Sequence, residues 1–206
     1  MTKKEQFDPT EKEYLDESFD EMDLSESNFV RCTFVHCKFV DARLGEANMT
    51  GCRFEECDFT RAKLNSSVIS DCSFAGCTFT GADLFMSDFK DCSMLGSTFI
   101  DTRLDGISIS GGNWSWVNMR FQDLHGLDLQ AINFTEADFY SADLTKVDLR
   151  NADLTRANMN KAKLIDADLR GAAMPGINLI DANIKGTRMD ITQTVYFAKC
   201  HGAIVE

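Results

Sequence analysis

Eight cysteines, three histidines and thirty-three carboxylates are the groups with which this 206-residue chain could ligate a metal, form disulfides or run acid–base chemistry. Zinc sites and redox pairs need thiols at short spacing, because one ion or one bond gathers them within a few ångströms. No C-x-x-C occurs here. Seven cysteines fall instead on a spacing of twenty: Cys32, Cys52, Cys72 and Cys92, beside Cys37, Cys57 and Cys77. Stacked about 5 Å apart they could approach disulfide geometry, but the chain starts without the apolar core of a signal peptide, and buried free thiols in a reducing cytosol are expected. His36 and His125 fall on outward positions of the pattern below and His201 near the C-terminus, none beside a recognisable nucleophile. P-loop, G-x-G-x-x-G and H-E-x-x-H signatures are lacking. The sequence therefore predicts no catalytic residue, no metal and no cofactor.

The element that would position these side chains is a repeat. From Phe19 to Met189 every residue whose number ends in 4 or 9 is apolar, thirty-five in succession. A period of five fits neither a helix nor an alternating strand. Two residues before each centre the side chain is usually small, as in Cys32, Ala42, Cys52, Ala62, Ser67 and Ala82. Each unit sends one large and one small side chain inward. Every fourth unit resembles itself, as along Leu24, Leu44, Leu64 and Leu84 or Phe39, Phe59, Phe79 and Phe99, so twenty residues make one four-sided coil, with neighbouring coils stacked at roughly the 4.8 Å of paired strands.

The units ADLTK (142–146), ADLTR (152–156) and ADLRG (167–171) resemble those of the pentapeptide-repeat proteins. The resemblance implies an all-β solenoid, a right-handed quadrilateral β-helix of pentapeptide repeats with a short C-terminal α-helix. Three regions are expected: an acidic N-terminal segment at 1–18, the β-helix at 19–189, and a cap and dimerisation element at 190–206. The first segment reads either as a frayed terminus entering the first coil near Phe19 or as a short helical turn started by Asp8-Pro9 and Glu11, with Tyr14 on the core register.

Between about residues 107 and 132 the small slots hold Ile107, Gly112, Val117, Gln122, Leu127 and Ile132. Larger residues there must widen the coil or turn outward, so altered turns or a bend are expected. Nearby, Phe85, Met86, Leu95, Ile100, Trp116 and Phe121 fall on outward positions. Trp116 stands above Gly96 and Gly76, so it covers a glycine groove or belongs to a contact patch. Phe85, Met86, Trp116 and Phe121 are the candidate apolar contacts.

After Met189 the period stops, and Ile191, Val195 and Ala198 at i, i+4, i+7 predict a helix that Gly202 ends. It should cap the last coil, whose edges need cover. Gln193, Phe197-Ala198 and His201-Gly202, together with CSMLGSTF (92–99), resemble the MfpA and Qnr-type proteins that act on DNA gyrase. That resemblance implies a head-to-head homodimer, with Ile191, Val195, Phe197, Ala198, Ile204 and Val205 as its candidate interface.

A net charge of −12 and a pI near 4.7 argue against direct binding to nucleic acid and for a basic partner. No apolar stretch is long enough to cross a membrane, and a cytoplasmic location is expected. Segment 71–143 carries a net charge of −8 and segment 144–189 one of +3. Asp71, Asp83, Asp88, Asp91, Asp101, Asp105, Asp123 and Asp128 are the candidate partner-facing acids. Asp128, Asp148 and Asp168 share one outward register, as phosphates do along a groove. Asp83, Asp123, Asp128, Asp138 and Asp143, one place before a centre, serve equally as turn residues bonding local backbone. The resemblance implies a DNA mimic that binds a type II topoisomerase, DNA gyrase, inhibiting it or protecting it from quinolones or natural poisons. The register has no inserted loop, which places the chain nearer the smoother MfpA type. The alternative is a scaffold repeat protein for another partner, favoured by the basic C-terminal coils.

Overall fold

A computed structural model describes residues 7–205. Nine three-residue strands alternate between two parallel sheets: β1 (Glu13–Leu15), β3 (Thr33–Val35), β5 (Arg53–Glu55) and β7 (Ser73–Ala75) form one; β2 (Asn28–Val30), β4 (Asn48–Thr50), β6 (Val68–Ser70), β8 (Asp88–Lys90) and β9 (Ser108–Ser110) form the other. Each residue pairs with the one twenty places on, as Phe34 with Phe54 and Met49 with Ile69. Single bridges carry both ladders onward and build two more faces, giving a four-sided β-helix. The first face runs from Glu13 to Ala173, the second from Ser18 to Asn178, the third from Asp23 to Asn183 and the fourth from Asn28 to Arg188.

The corners follow from backbone geometry. Every residue whose number ends in 1 or 6, from Glu11 to Gly186, has a positive φ, which turns the chain through each corner after only three extended residues. The inward centres stack. Phe34, Phe54 and Phe74 lie at 4.8 and 4.6 Å between ring centroids, and Phe39, Phe59, Phe79 and Phe99 at 4.7 to 5.1 Å. Burying each ring contributes about 2–3 kcal/mol. Cysteine suits the small slot because its thiol also donates to a carbonyl of the coil below: Cys57 to Phe34 O at 3.4 Å and Cys77 to Phe54 O at 3.5 Å. Ser87 and Thr102 do the same to Leu64 O and Phe79 O. All eight cysteines are free and seven are buried.

The solenoid is already in place ahead of Phe19. Thr10 bridges Val30, β1 pairs with β3, and Phe7 packs against Tyr14, Phe19 and Phe29. Residues 7–18 are neither frayed nor helical, because Tyr14 stacks on Phe34 at 4.8 Å and continues the ladder. Residues 1–6 of the expected acidic segment lie outside the described residues.

One junction breaks the ladder. The Arg103–Asp123 and Ser108–Asp128 pairs are missing from the third and fourth faces, whereas Asn113–Asn133 and Asn118–Asp138 remain on the first and second. The cause is volume. On the two broken faces the small-slot columns run Ala62, Ala82, Thr102, Gln122, Ala142 and Ser67, Ser87, Ile107, Leu127, Val147, so oversized residues meet in successive coils. Gln122 stays inside by donating its amide to Phe99 O, while Leu127 is only half buried. The opening is a cleft of about 190 Å³ lined by Leu104, Asp105, Gly106, Asp123, His125 and Leu127. The expected bend is there, opening at the Gly106 corner and closed at the opposite corner, where Trp116 stands. Gly112 is required at the turn, since a Cβ there would lie 2.0 Å from Cys92 O.

Helix α1 (Ile191–Cys200) closes the other end with a capping box between Asp190 and Gln193. Gln193 is buried and donates to Ala172 O at 2.9 Å. Tyr196, Phe197 and Cys200 pack against the last coil. The cover is partial. Ala172, Met174, Ile177 and Leu179 are buried, while their counterparts Ala182, Ile184, Thr187 and Met189 are only half buried.

Candidate interaction surfaces

The eight candidate acids do not share one groove. Asp71 and Asp91 stand at the positive-φ corner between the fourth and first faces, and Asp88 and Asp128 project from the fourth face beside them. Lys90 is the one base on that stretch. Asp101 occupies the corner between the second and third faces, and Asp83, Asp105 and Asp123 project from the third.

Pairing sorts them further. Arg103 takes Asp105 at 2.9 Å and Asp83 at 3.5 Å. Asp71, Asp88, Asp91, Asp101, Asp123 and Asp128 hold no ion pair among the described residues. The turn role holds for all five aspartates assigned to it: Asp83, Asp123, Asp128, Asp138 and Asp143 each accept the N–H two residues on, at 3.0 to 3.2 Å. For Asp123 and Asp128 the two roles coexist.

The column Asp128, Asp148, Asp168 is aligned, yet its charge is cancelled in two of three coils. Arg150 grips Asp148, with 2.6 Å from Nη2 to Oδ2, and Arg170 grips Asp168 at the same distance. Those guanidinium bonds hold both carboxyls below the usual carboxylate range. Burial opposes ionisation of Asp143, but bonds from Thr145 and Lys163 hold it down at about 2. The C-terminal coils therefore present mixed charge, and the free carboxylates concentrate in the middle of the rod.

Of the four apolar candidates, Met86, Trp116 and Phe121 are exposed, at 59%, 57% and 66%. Phe85 is half buried, because the Arg103 guanidinium lies 4.3 Å above its ring. Met86, Trp116 and Phe121 all sit at positive-φ corners, with φ of 55°, 61° and 62°, a conformation costing roughly 1–2 kcal/mol for a residue with a large side chain. Trp116 does not cover the glycine beneath it. A Cβ on Gly96 would meet no atom within 4 Å. Met86 is on the opposite corner, leaning on Gly106. Sequence reasoning passed over Tyr140 and Arg120, which join Phe121: Tyr140 meets its ring edge-on at 5.6 Å, and Arg120 lies 4.4 Å over Tyr140 while bonding Asp138 at 3.0 Å. The available signal was the register: Tyr140 lies twenty places on from Arg120, one coil above it, and Arg120 directly precedes Phe121.

At the C-terminal end, Ile191, Ile204 and Val205 are exposed, whereas Val195, Phe197 and Ala198 are half buried. Phe197 packs on the last coil and against His201 at 4.4 Å.

The family model for pentapeptide repeats matches at residues 72–111, 115–151, 132–171 and 162–190, and that for a pentapeptide repeat region matches at 14–84. The chain belongs to the pentapeptide-repeat family. No curated protein matches it significantly. Among solved pentapeptide-repeat structures, trypsin-treated QnrB1, a plasmid-mediated fluoroquinolone resistance protein, is similar with a TM-score of 0.73 at 17% identity, over 95% of this chain and 99% of its own. Full-length QnrB1 aligns with a TM-score of 0.64 at 16% identity, over 95% and 100%. HetL, involved in heterocyst differentiation regulation in the cyanobacterium Nostoc sp. strain PCC 7120, aligns with a TM-score of 0.48 at 23% identity, over 87% and 89%. Among the described residues of this pentapeptide-repeat protein, no helix is long and apolar enough to cross a membrane.

Proposed function

We propose that this pentapeptide-repeat protein is a DNA mimic that binds a type II topoisomerase, DNA gyrase, acting in the cytoplasm without catalysis of its own. The observation that carries the reading is the group of unpaired carboxylates at Asp71, Asp88, Asp91 and Asp128, gathered along one side of the rod with one base among them. A basic DNA-binding surface would meet there a row of fixed negative charge. The fold shared with QnrB1, a plasmid-mediated fluoroquinolone resistance protein, supports a reading in which the partner is an enzyme that such drugs act on.

A homodimer joined through the C-terminal end completes the reading. The half-covered Ile184 and Met189, with exposed Ile180, Ile191, Ile204 and Val205, form apolar surface around a coil end whose far half lacks a cap. Burying it against a second copy would double the rod. The spacing of twenty is kept from Thr10 to Arg188 with no inserted loop, even across the junction where two pairs are missing, which favours inhibition of the enzyme over protection from a drug.

The scaffold reading is favoured by the Asp148–Arg150 and Asp168–Arg170 pairs, which neutralise the fourth face toward the dimer end. A gyrase supercoiling titration at two salt concentrations, with and without a fluoroquinolone, separates the two. The mimic predicts inhibition that weakens with salt; no effect on bacterial gyrases or topoisomerase IV would leave the scaffold.

A further inference from the structure

Leu95, Ile100, Trp116 and Phe121 form one exposed apolar patch on the inner side of the bend. Leu95 precedes the Gly96 corner and Ile100 the Asp101 corner in one coil, while in the next coil Trp116 stands over the first of these corners and Phe121 over the second. Folding does not explain Trp116, whereas Phe121 is held in part by Tyr140, edge-on at 5.6 Å, and by Arg120, 5.6 Å from its ring. Trp116 and Phe121 both take left-handed corners where the other coils place Gly, Ser, His or a charged residue, and no ring or cation partner of Trp116 is present among the described residues. The junction that stays closed at this corner and splays at the opposite one turns the patch toward the concave side, where a convex partner meets both rings.

The charges beside it define that partner. Asp91 and Asp101, neither in an ion pair, stand at the two outer corners of the coil that carries Leu95 and Ile100, and Phe121 lies one coil above Asp101. We infer that the Trp116–Phe121 patch is the specificity-determining contact for a basic protein surface, seating an arginine-bearing element whose guanidinium groups meet Asp91 and Asp101 and stack on the open Trp116 ring, beside Phe121, which already carries Arg120. The inference rests on the reading of the chain as an acidic rod that docks on gyrase, and it adds which face does so. Carboxylates alone would steer any basic protein; an apolar, aromatic centre between them selects one shape.

The test is gyrase binding by the full-length wild type, Trp116→Asn/Phe121→Asn, Asp91→Asn/Asp101→Asn, and Met86→Asn, with Tm measured for each. Asparagine tolerates positive φ, so every variant is expected to fold with unchanged or raised Tm. The aromatic double variant should lose at least tenfold in affinity, mostly by faster dissociation. The aspartate double variant should lose association rate and salt dependence, and Met86→Asn, on the outer side of the bend, should bind as wild type does. Equal binding by the aromatic double variant overturns the inference while leaving the gyrase reading intact. Failure of the wild type to bind sinks that reading, and the inference with it.

Discussion

Asp190 serves Gly171 and Thr192 at once: one carboxylate oxygen accepts the Gly171 N–H at 3.0 Å and the other the Thr192 N–H at 3.0 Å. A single side chain thus starts helix α1 and ties it to the edge of the last coil. Removing it by Asp190→Ala should cost about 1–2 kcal/mol, read as a fall in the denaturant midpoint. The protein should also become more prone to self-associate, because the uncapped edge is exposed. An unchanged midpoint would mean that Gln193, bonded to Ala172, holds the cap without it.

The broken junction predicts uneven amide exchange. Leu84 and Met86 donate to Arg103 O and Asp105 O, but Leu104 and Gly106, one coil on, have lost the equivalent carbonyls of Asp123 and His125. Their amides should exchange at least tenfold faster than those of Leu84 and Met86. Replacing both overfilling residues, Gln122→Ala with Leu127→Ala, should slow that exchange if volume opens the cleft.

Thiol chemistry should follow burial. Burial pushes Cys92 up to about 11 and raises Cys32 and Cys37 as well, whereas bonds from Cys72 and Cys77 lower Cys52, to about 7, and Cys57; for those two it is inaccessibility in the core that keeps the thiol unreactive. Only half-exposed Cys200 is expected to label quickly in the native protein, and all eight after denaturation. Rapid native labelling of the column from Cys32 to Cys92 would contradict the packed core.

Acid should loosen the C-terminal coils. Bonds to Arg150 and Arg170 depress Asp148 and Asp168, and Asp143 is held at about 2 against the opposing effect of burial. A depressed carboxyl stabilises the folded state above its unfolded pKa near 4, and the contribution is lost as pH falls toward the folded value. Urea midpoints should therefore be flat from pH 7 to 5 and drop between about pH 4 and 2. Lys163→Ala should move the Asp143 midpoint up. A carboxyl resonance of Asp143 titrating near 4 in the wild type would refute the pairing.

The fold was legible because it is written in spacing: apolar residues at 4 and 9, small ones at 2 and 7, and like over like at twenty. The bend was legible too, from Ile107, Gln122 and Leu127 in slots built for alanine. Which faces it opens was not, since that depends on where those slots meet in three dimensions. The acid surface was legible as a list but not as a surface. Arg103, Arg150 and Arg170 each had to be placed against Asp83 and Asp105, Asp148 and Asp168 before the free carboxylates stood apart. Tyr14 was visible on the register, yet the acidic residues around it suggested an end where the ladder continues.

Displacement of DNA tests the central claim most directly. A fluorescent duplex bound to gyrase should be released by this protein, less readily as salt rises, and less readily by Asp71→Asn/Asp91→Asn, while the protein itself binds no DNA. Formation of a ternary complex, with the duplex still bound at saturating protein, would contradict the mimic.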